Sequence, residues 1–190
     1  MMDTPWYATA LTGDAPGLGN WSAEDIVELL RTGSSRHGTA AGPMAAVVSN
    51  STQHLNSHDL GAMAAYLKSL PSRPEPPPAA QPSQAVMAAG SQLYEQHCVA
   101  CHQASGAGSP PAWPPLARNT SVLAASPNNV VLSILKGGYA PATESNPKPH
   151  GMPPFHALSN SDIAALATFV RNSWGNSASP VNPHQVAPLR

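Results

Sequence analysis

The chain has two cysteines, and both fall in one five-residue run, Cys98-Val99-Ala100-Cys101-His102. Cys-x-x-Cys-His is the spacing through which a c-type haem is attached. Each residue type in it has a separate task. Two thiols three positions apart can add to the two vinyl groups of one porphyrin. The histidine that follows is placed to coordinate the iron. A covalently held haem does not leave, so a small domain can be built around it.

Other readings of the pair lack their partners. A structural zinc site needs four ligands at ligand-like spacing, and there is no second cysteine pair. His150 and His156 are six apart in a proline-rich stretch, which is not finger spacing. A thioredoxin-like pair requires a βαβ setting that the pattern lacks. A disulfide across three residues would be strained.

Charged residues make up only 10% of the 190, with a formal net charge of −1. There is no basic stripe to bind nucleic acid. No apolar run approaches the ~20 residues of a membrane span. The opening MMDTPWYATALTGDAPG has neither a basic segment nor a long apolar stretch, so it does not read as an export signal. Haem is attached to Cys-x-x-Cys-His outside the bacterial cytoplasm. The expectation is therefore a removed signal or a start internal to a longer chain.

Residues 71–84, PSRPEPPPAAQPSQ, hold six of the chain's 22 prolines. Proline excludes helix interiors and favours a semi-rigid extended spacer. The stretch reads as a linker between 1–70 and 85–175, with a polar tail at 176–190. In 85–175 the pattern predicts a helix over 85–97, with Gly90 and Tyr94 on one face, running into the cysteine pair. A second is predicted over Asn128–Lys136, opened by Ser126-Pro127 and stopped by Gly137. A third, over 160–173, opens with Ser159 and Asp162 as a capping box. Its apolar face carries Ile163, Leu166, Ala167 and Val170, with Phe169 beside it.

Residues 1–70 repeat the later part of this plan. Ser22 and Asp25 open a helix stopped by Gly33; Asn56 and Asp59 open another bearing Leu60, Met63, Ala64 and Leu67. Asp59–Leu67 aligns by type with Asp162–Val170 at an offset of 103, and the two glycine stops are 104 apart. Fixed spacing of this kind signals an internal repeat. The second copy has a haem-binding helix and the first does not, so the first reads as the rear of a haem domain without its front. It is expected to have the poorer core of the two.

One histidine leaves a sixth position on the iron. Methionine there favours ferrous iron, raises the potential and blocks small ligands. Met152, in the proline-stiffened loop His150-Gly151-Met152-Pro153-Pro154-Phe155, is the first candidate; His150 and His156 stay open as alternatives. Met44, in Gly42-Pro43-Met44, takes the corresponding place in the first copy and reads as an ordinary loop or core methionine, and Met63 reads as core. A ligating histidine needs an acceptor for its other ring nitrogen. The Pro114 carbonyl, in Pro114-Pro115-Leu116, is one candidate, and a plain proline turn is the other reading.

Gly90, Leu93, Tyr94, the Cys98–His102 pentad, Pro114-x-Leu116 and Met152, in that order, resemble class I c-type cytochromes. More narrowly, Leu11–Asp14, Gly17–Ser22, Gly42–Met44, Ser51–Leu55, Tyr66–Pro71 and Phe169–Asn176 resemble the C-terminal part of the multi-haem cytochrome c subunit of membrane-bound bacterial alcohol, gluconate and related sugar dehydrogenases. The resemblance implies an all-α chain. A class I cytochrome c domain at 85–175 follows a partial, haem-less cytochrome c-like segment at 1–70. It implies one covalent haem c on Cys98 and Cys101, with His102 and Met152 as iron ligands and Pro114 supporting His102. Gly90 and Tyr94 would let the first helix pack on the last, near Leu166 and Phe169.

The implied role is electron transfer without a catalytic centre of its own. A quinoprotein or flavoprotein subunit would oxidise a CH–OH donor, and the cytochrome would relay electrons towards ubiquinone. The place would be the periplasmic side of the inner membrane, with peripheral association. A stand-alone soluble carrier, a small haem peroxidase-like enzyme and an empty, decayed fragment are the other readings.

Overall fold

The computed structural model describes residues 5–14, 17–74 and 79–190. The four longest helices start where the sequence supplies a side-chain cap. Helix α1 (Ala23–Thr32) opens under Ser22, whose hydroxyl accepts from the Asp25 amide while the Asp25 carboxylate accepts from the Ser22 amide, and it stops on Gly33. A short ribbon of β1 (Ser34–Ser35) and β2 (Gly38–Thr39) leads into α2 (Pro43–Asn50). Helix α3 (Ser57–Ser69) opens with the Asn56 side chain on the Asp59 amide. Capping of this kind satisfies amides that have no partner inside the helix.

Beyond the proline-rich stretch expected as a linker, of which residues 75–78 lie outside the described residues, α4 (Gln84–His97) is followed by the single turn α5 (Val99–His102). Then come α6 (Thr120–Leu123) and α7 (Asn128–Lys136), the ribbon of β3 (Gly138–Tyr139) and β4 (Gly151–Met152), α8 (Asn160–Arg171) with its Ser159–Asp162 capping box, and α9 (Pro183–Val186). The predicted helices at 85–97, 128–136 and 160–173 lie within two residues of α4, α7 and α8.

The helix-rich region after the linker encloses one continuous core. Tyr94, Val131, Leu132, Ile163, Leu166, Ala167 and Val186 are buried in it. Helices α4 and α8 cross at Gly90. A Cβ there would collide with the Ala165 carbonyl oxygen and lie 2.6 Å from Phe169 Cβ. The ring of Tyr94, one turn on, stands 5.4 Å from that of Phe169 and 5.0 Å from that of Trp174. Residues before the linker have a smaller core of Leu18, Trp21, Ile26, Leu30, Leu60 and Ala64, where α1 packs on α3.

The two regions also touch directly. The Tyr7 amide donates to Asn129 Oδ1 at 2.8 Å and Asn129 Nδ2 donates to the Tyr7 carbonyl at 2.9 Å. Trp6 packs against the larger core, Gly33 sits against the Pro141 ring, and Gln53 exchanges hydrogen bonds with Ala142 and Glu144.

Several expectations need correction. Residues 176–190 do not behave as a polar tail: Val181, Val186 and Leu189 are buried in the larger core. Val181 and Val186 are five apart, and the single i, i+3 pair of Val186 and Leu189, interrupted by Pro188, is too short to establish a period. Met63, expected in a core, is 37% exposed, and it is not among the residues packed against the smaller core. Met44 is neither in a loop nor buried; it lies in the first turn of α2, a helix opened by Pro43, and is 38% exposed. The two small ribbons were also not expected; each follows a glycine helix stop.

Two outcomes follow from this packing. Gly90→Ala gains about 1 kcal/mol of helix propensity, yet the crowding at Ala165 should more than reverse it. Urea unfolding is expected to show a net loss of about 2 kcal/mol. In the smaller core, burial pushes the Asp25 carboxyl up, but the Ser22 amide, Arg36, the Ser22 hydroxyl and His37 outweigh that and hold it below its ordinary 3.8. A depressed folded-state value stabilises above the unfolded one and is lost as pH falls through it. Asp25→Asn should therefore cost about 1 kcal/mol at neutral pH, and the difference from the parent should shrink as pH drops below 3.8.

Candidate functional site

Helix α4 ends by handing its last hydrogen bond to the first cysteine: the Cys98 amide donates to the Tyr94 carbonyl at 2.9 Å. The Cys98 carbonyl then accepts from the amides of Cys101 and His102, at 3.2 and 2.9 Å, which winds 98–102 into one turn. That turn carries Cys101 and His102, with Cys98 as its cap. Cys98 is buried, Cys101 is half-buried, and neither is in a disulfide. Burial, and the nearby Cys101, push the Cys98 thiol up to about 11.

His102 is 92% buried, and its Nδ1 lies 3.1 Å from the Pro114 carbonyl oxygen. A carbonyl can only accept, so Nδ1 carries the hydrogen and the neutral ring leaves its lone pair on Nε2. Nε2 makes no hydrogen bond to any described residue. Burial lowers the affinity of this ring for a proton, and the Pro114 contact only partly opposes that. A neutral, oriented imidazole with a free Nε2 is the form that binds a metal.

The Pro114 carbonyl is held in place by contacts from far along the chain. Gly108 has a φ of +63°, and a Cβ on it would lie 2.5 Å from the carbonyl oxygens of both Trp113 and Pro114. Its amide donates to the His102 carbonyl at 3.1 Å. The Leu116 and Ala117 amides both donate to the Gly106 carbonyl. Tyr94 Oη donates to the Gln103 carbonyl at 2.7 Å and Trp174 Nε1 to the Ala104 carbonyl at 2.8 Å. Asn176 ties Leu116 and Arg118 to the end of α8.

Met152 lies on a different loop. It sits in β4 opposite Gly138, is half-buried, and packs against the core that also contains Cys98 and Tyr94. The Phe155 amide fixes that loop by donating to the Ile134 carbonyl at 2.8 Å. His150 and His156 are exposed; the His150 ring lies 5.4 Å from that of Trp113. Among the described residues no three His, Cys, Asp or Glu side chains gather as a site for a bare metal ion. The donor set does fit haem: two free thiols, one oriented imidazole, and the half-buried apolar side chains of Leu93, Val99, Leu116, Met152 and Phe155 around the same core.

Residues 87–174 match the family model described as Cytochrome c. A cytochrome c-552 of Thermus thermophilus is 32% identical over 91 residues, covering 46% of this chain and 69% of that protein. The chain belongs to the cytochrome c family. Larger relatives of this cytochrome match it along most of its length. The cytochrome c subunit of alcohol dehydrogenase (quinone) from Gluconobacter oxydans (strain 621H) is 38% identical over 91% of this chain and 38% of its own. The gluconate 2-dehydrogenase cytochrome c subunit of Pantoea cypripedii is 33% identical over 97% of this chain and 45% of its own. The cytochrome thus spans about two fifths of the length of these curated relatives.

Of the residues singled out from sequence, His102 and Pro114 meet directly. Cys98 and Cys101 flank them on the same turn, and Met152 stands apart on its own loop. Gly108 was missed, as were the anchoring roles of Trp174 and Asn176. A positive φ at Gly108 has no local signature among neighbouring glycines, and the other two act across 58–70 positions. In ¹⁵N-detected imidazole spectra, His102 is expected as the Nδ1–H tautomer, unprotonated at neutral pH. Gly108→Val should displace the Pro114 carbonyl and abolish that single-tautomer signature.

Proposed function

We propose that residues 85–175 bind one haem c through Cys98 and Cys101, with His102 and Met152 as iron ligands, and that the chain transfers single electrons within a dehydrogenase complex. The observation that carries this reading is the buried His102, with Nδ1 on Pro114 and Nε2 free, one turn from two unpaired thiols. When bound, haem c supplies a one-electron iron couple. The chain's own residues hold and tune it: Pro114 orients the imidazole, and the β4 loop presents a thioether.

The donor in this reading is a quinoprotein or flavoprotein subunit that oxidises a CH–OH group, and the acceptor is ubiquinone. The chain's similarity to cytochrome c subunits of quinone alcohol and gluconate dehydrogenases along most of its length supports both. The place of action is the periplasmic face of the inner membrane. No described helix is long and apolar enough to cross a membrane, so association there would be peripheral for this part of the complex. Residues 1–70 are a partial cytochrome c-like segment that does not attach haem, and 71–84 is the linker.

Expression with periplasmic haem attachment tests this. The purified protein should carry the mass of one haem, and Cys101→Ala together with Cys98→Ala should carry none. The haem should be low-spin in both redox states. Met152→Ala should lose the sulfur-to-iron charge-transfer band and shift the midpoint potential downward. An unchanged spectrum in Met152→Ala overturns the ligand assignment, and rapid peroxide turnover by the parent protein overturns electron transfer as the function.

A further inference from the structure

The strand that carries Met152 is held differently on its two sides. Beyond Met152 the hold is close by: the Phe155 amide donates to the Ile134 carbonyl at 2.8 Å, and a Cβ on Gly137 would overlap the Met152 carbonyl oxygen. Before Met152 runs a long loop whose own bonding is thin. Its base is the ribbon of β3 and β4, two residue pairs long, in which Met152 faces Gly138. Glycine offers no side chain for a cross-strand contact, and a two-stranded ribbon is marginal in water. Further out, Thr143 and Asn146 exchange two backbone hydrogen bonds, each at 3.1 Å.

The tip of this loop rests on residues 1–70. Of residues 138–151 only Pro141 and Thr143 are buried. The Pro141 ring lies on Gly33, where a Cβ would overlap it. Thr143 is 4% exposed, and its hydroxyl donates to the Thr32 carbonyl at 3.4 Å. Gln53 reaches across to the residues between and beyond. Its Nε2 donates to the Ala142 carbonyl at 3.3 Å, and its Oε1 accepts from the Glu144 amide at 3.1 Å. A side-chain amide that bonds alternate residues in opposite senses serves as one more strand position. Gln53 is itself set from the end of α2, where Nε2 also donates to the Ser49 carbonyl at 2.6 Å. Four consecutive loop residues, 141–144, therefore each meet residues 1–70.

We propose that residues 1–70 brace the Met152 loop, with Gln53 as the positioning residue. The segment without cysteines thereby sets how firmly a thioether is presented at the sixth iron position. The inference rests on reading Met152 as an iron ligand and gives residues 1–70 a part in that ligation. A loop ligand excludes outside ligands only while its loop is closed. A loop with few contacts of its own opens locally at low cost, so external anchors decide how often it does.

The experiment uses the full, haem-loaded chain. Imidazole probes the sixth position of the ferric haem, and amide hydrogen exchange probes residues 139–151. Gln53→Met keeps the length of the side chain and removes both of its bonds to the loop. Thr143→Val works from the other side of the seam, keeping the shape and removing the hydroxyl. Each variant should speed exchange across 139–151 and tighten imidazole binding by about fivefold, the weight of one hydrogen bond. Asn128→Ala removes a contact between the same two regions at the Pro5 carbonyl, away from the loop, and should change neither readout. Unchanged imidazole affinity in Gln53→Met or Thr143→Val overturns the proposal even where exchange is faster, because the seam would then be structural only. Equal tightening in Asn128→Ala overturns it too, because general loosening would account for the result. The ligand reading fails separately. A spectrum unchanged by Met152→Ala removes Met152 from the iron and the brace with it. Loss of the sulfur-to-iron band in Met152→Ala, with inert Gln53 and Thr143 variants, keeps the ligand and removes only the brace.

Discussion

The crossing of α4 on α8 at Gly90 fixes everything that the site requires. Backbone meets backbone there because no Cβ intervenes, and so close an approach leaves one register for the pair. Helix α4 runs two turns beyond the crossing and ends at Cys98, so the thiols and His102 are set by where it touches α8. Tyr94 secures the same register from the side. Its ring is wedged against Phe169 and Trp174, and its hydroxyl closes onto the Gln103 carbonyl just past the motif. A shift of one residue along α4 would turn Tyr94 out of that wedge and carry His102 away from Pro114.

The far end of α8 is held by a different kind of interaction. Arg171 is 1% exposed and has no carboxylate partner among the described residues. Its guanidinium instead donates to the carbonyls of Val122, Ala124 and Ser179. Burial draws its proton affinity down to about 10, which still leaves it charged at neutral pH. A buried charge is costly unless fully hydrogen-bonded. Here the donors serve as a clamp that joins α6, α8 and the final residues. Thr168 adds a bond in each direction with Val181. The last fifteen residues complete the core because α8 presents donors to their backbone, although their own sequence carries little apolar pattern.

This explains which parts were legible in the sequence. Caps are local: Ser22 with Asp25, Asn56 with Asp59 and Ser159 with Asp162 announce their helices within four residues, and each is formed. The pentad is local too, and one turn of helix with its cap carries all five residues. The His102–Pro114 pair spans twelve positions and was accessible because a ligating imidazole requires an acceptor. Burial of Val181 and Leu189, exposure of Met63, and the grip of Trp174 and Asn176 on the 103–118 loop depend on which elements become neighbours. No window of sequence contains that information.

The first seventy residues are held together in a different balance. Helices α1 and α3 keep the angle-setting contacts of Ile26, Leu30, Leu60 and Ala64, but polar interactions do more of the holding. Lys68 reaches from α3 to the carbonyls of Leu18 and Trp21, at 3.1 and 2.8 Å, and ties down the loop before α1. Asp25 combines its capping bond with Arg36 and His37, and the His37 ring stacks on Trp21 at 4.6 Å. Such contacts are directional and individually modest beside the burial of whole apolar side chains. They order a small unit without covering it. The cover that exists comes from the neighbouring domain, through Tyr7 on Asn129 and Gly33 on Pro141. Among the described residues they leave Tyr66 of α3 66% exposed, whereas Phe169, at the aligned position of α8, meets the Tyr94 ring.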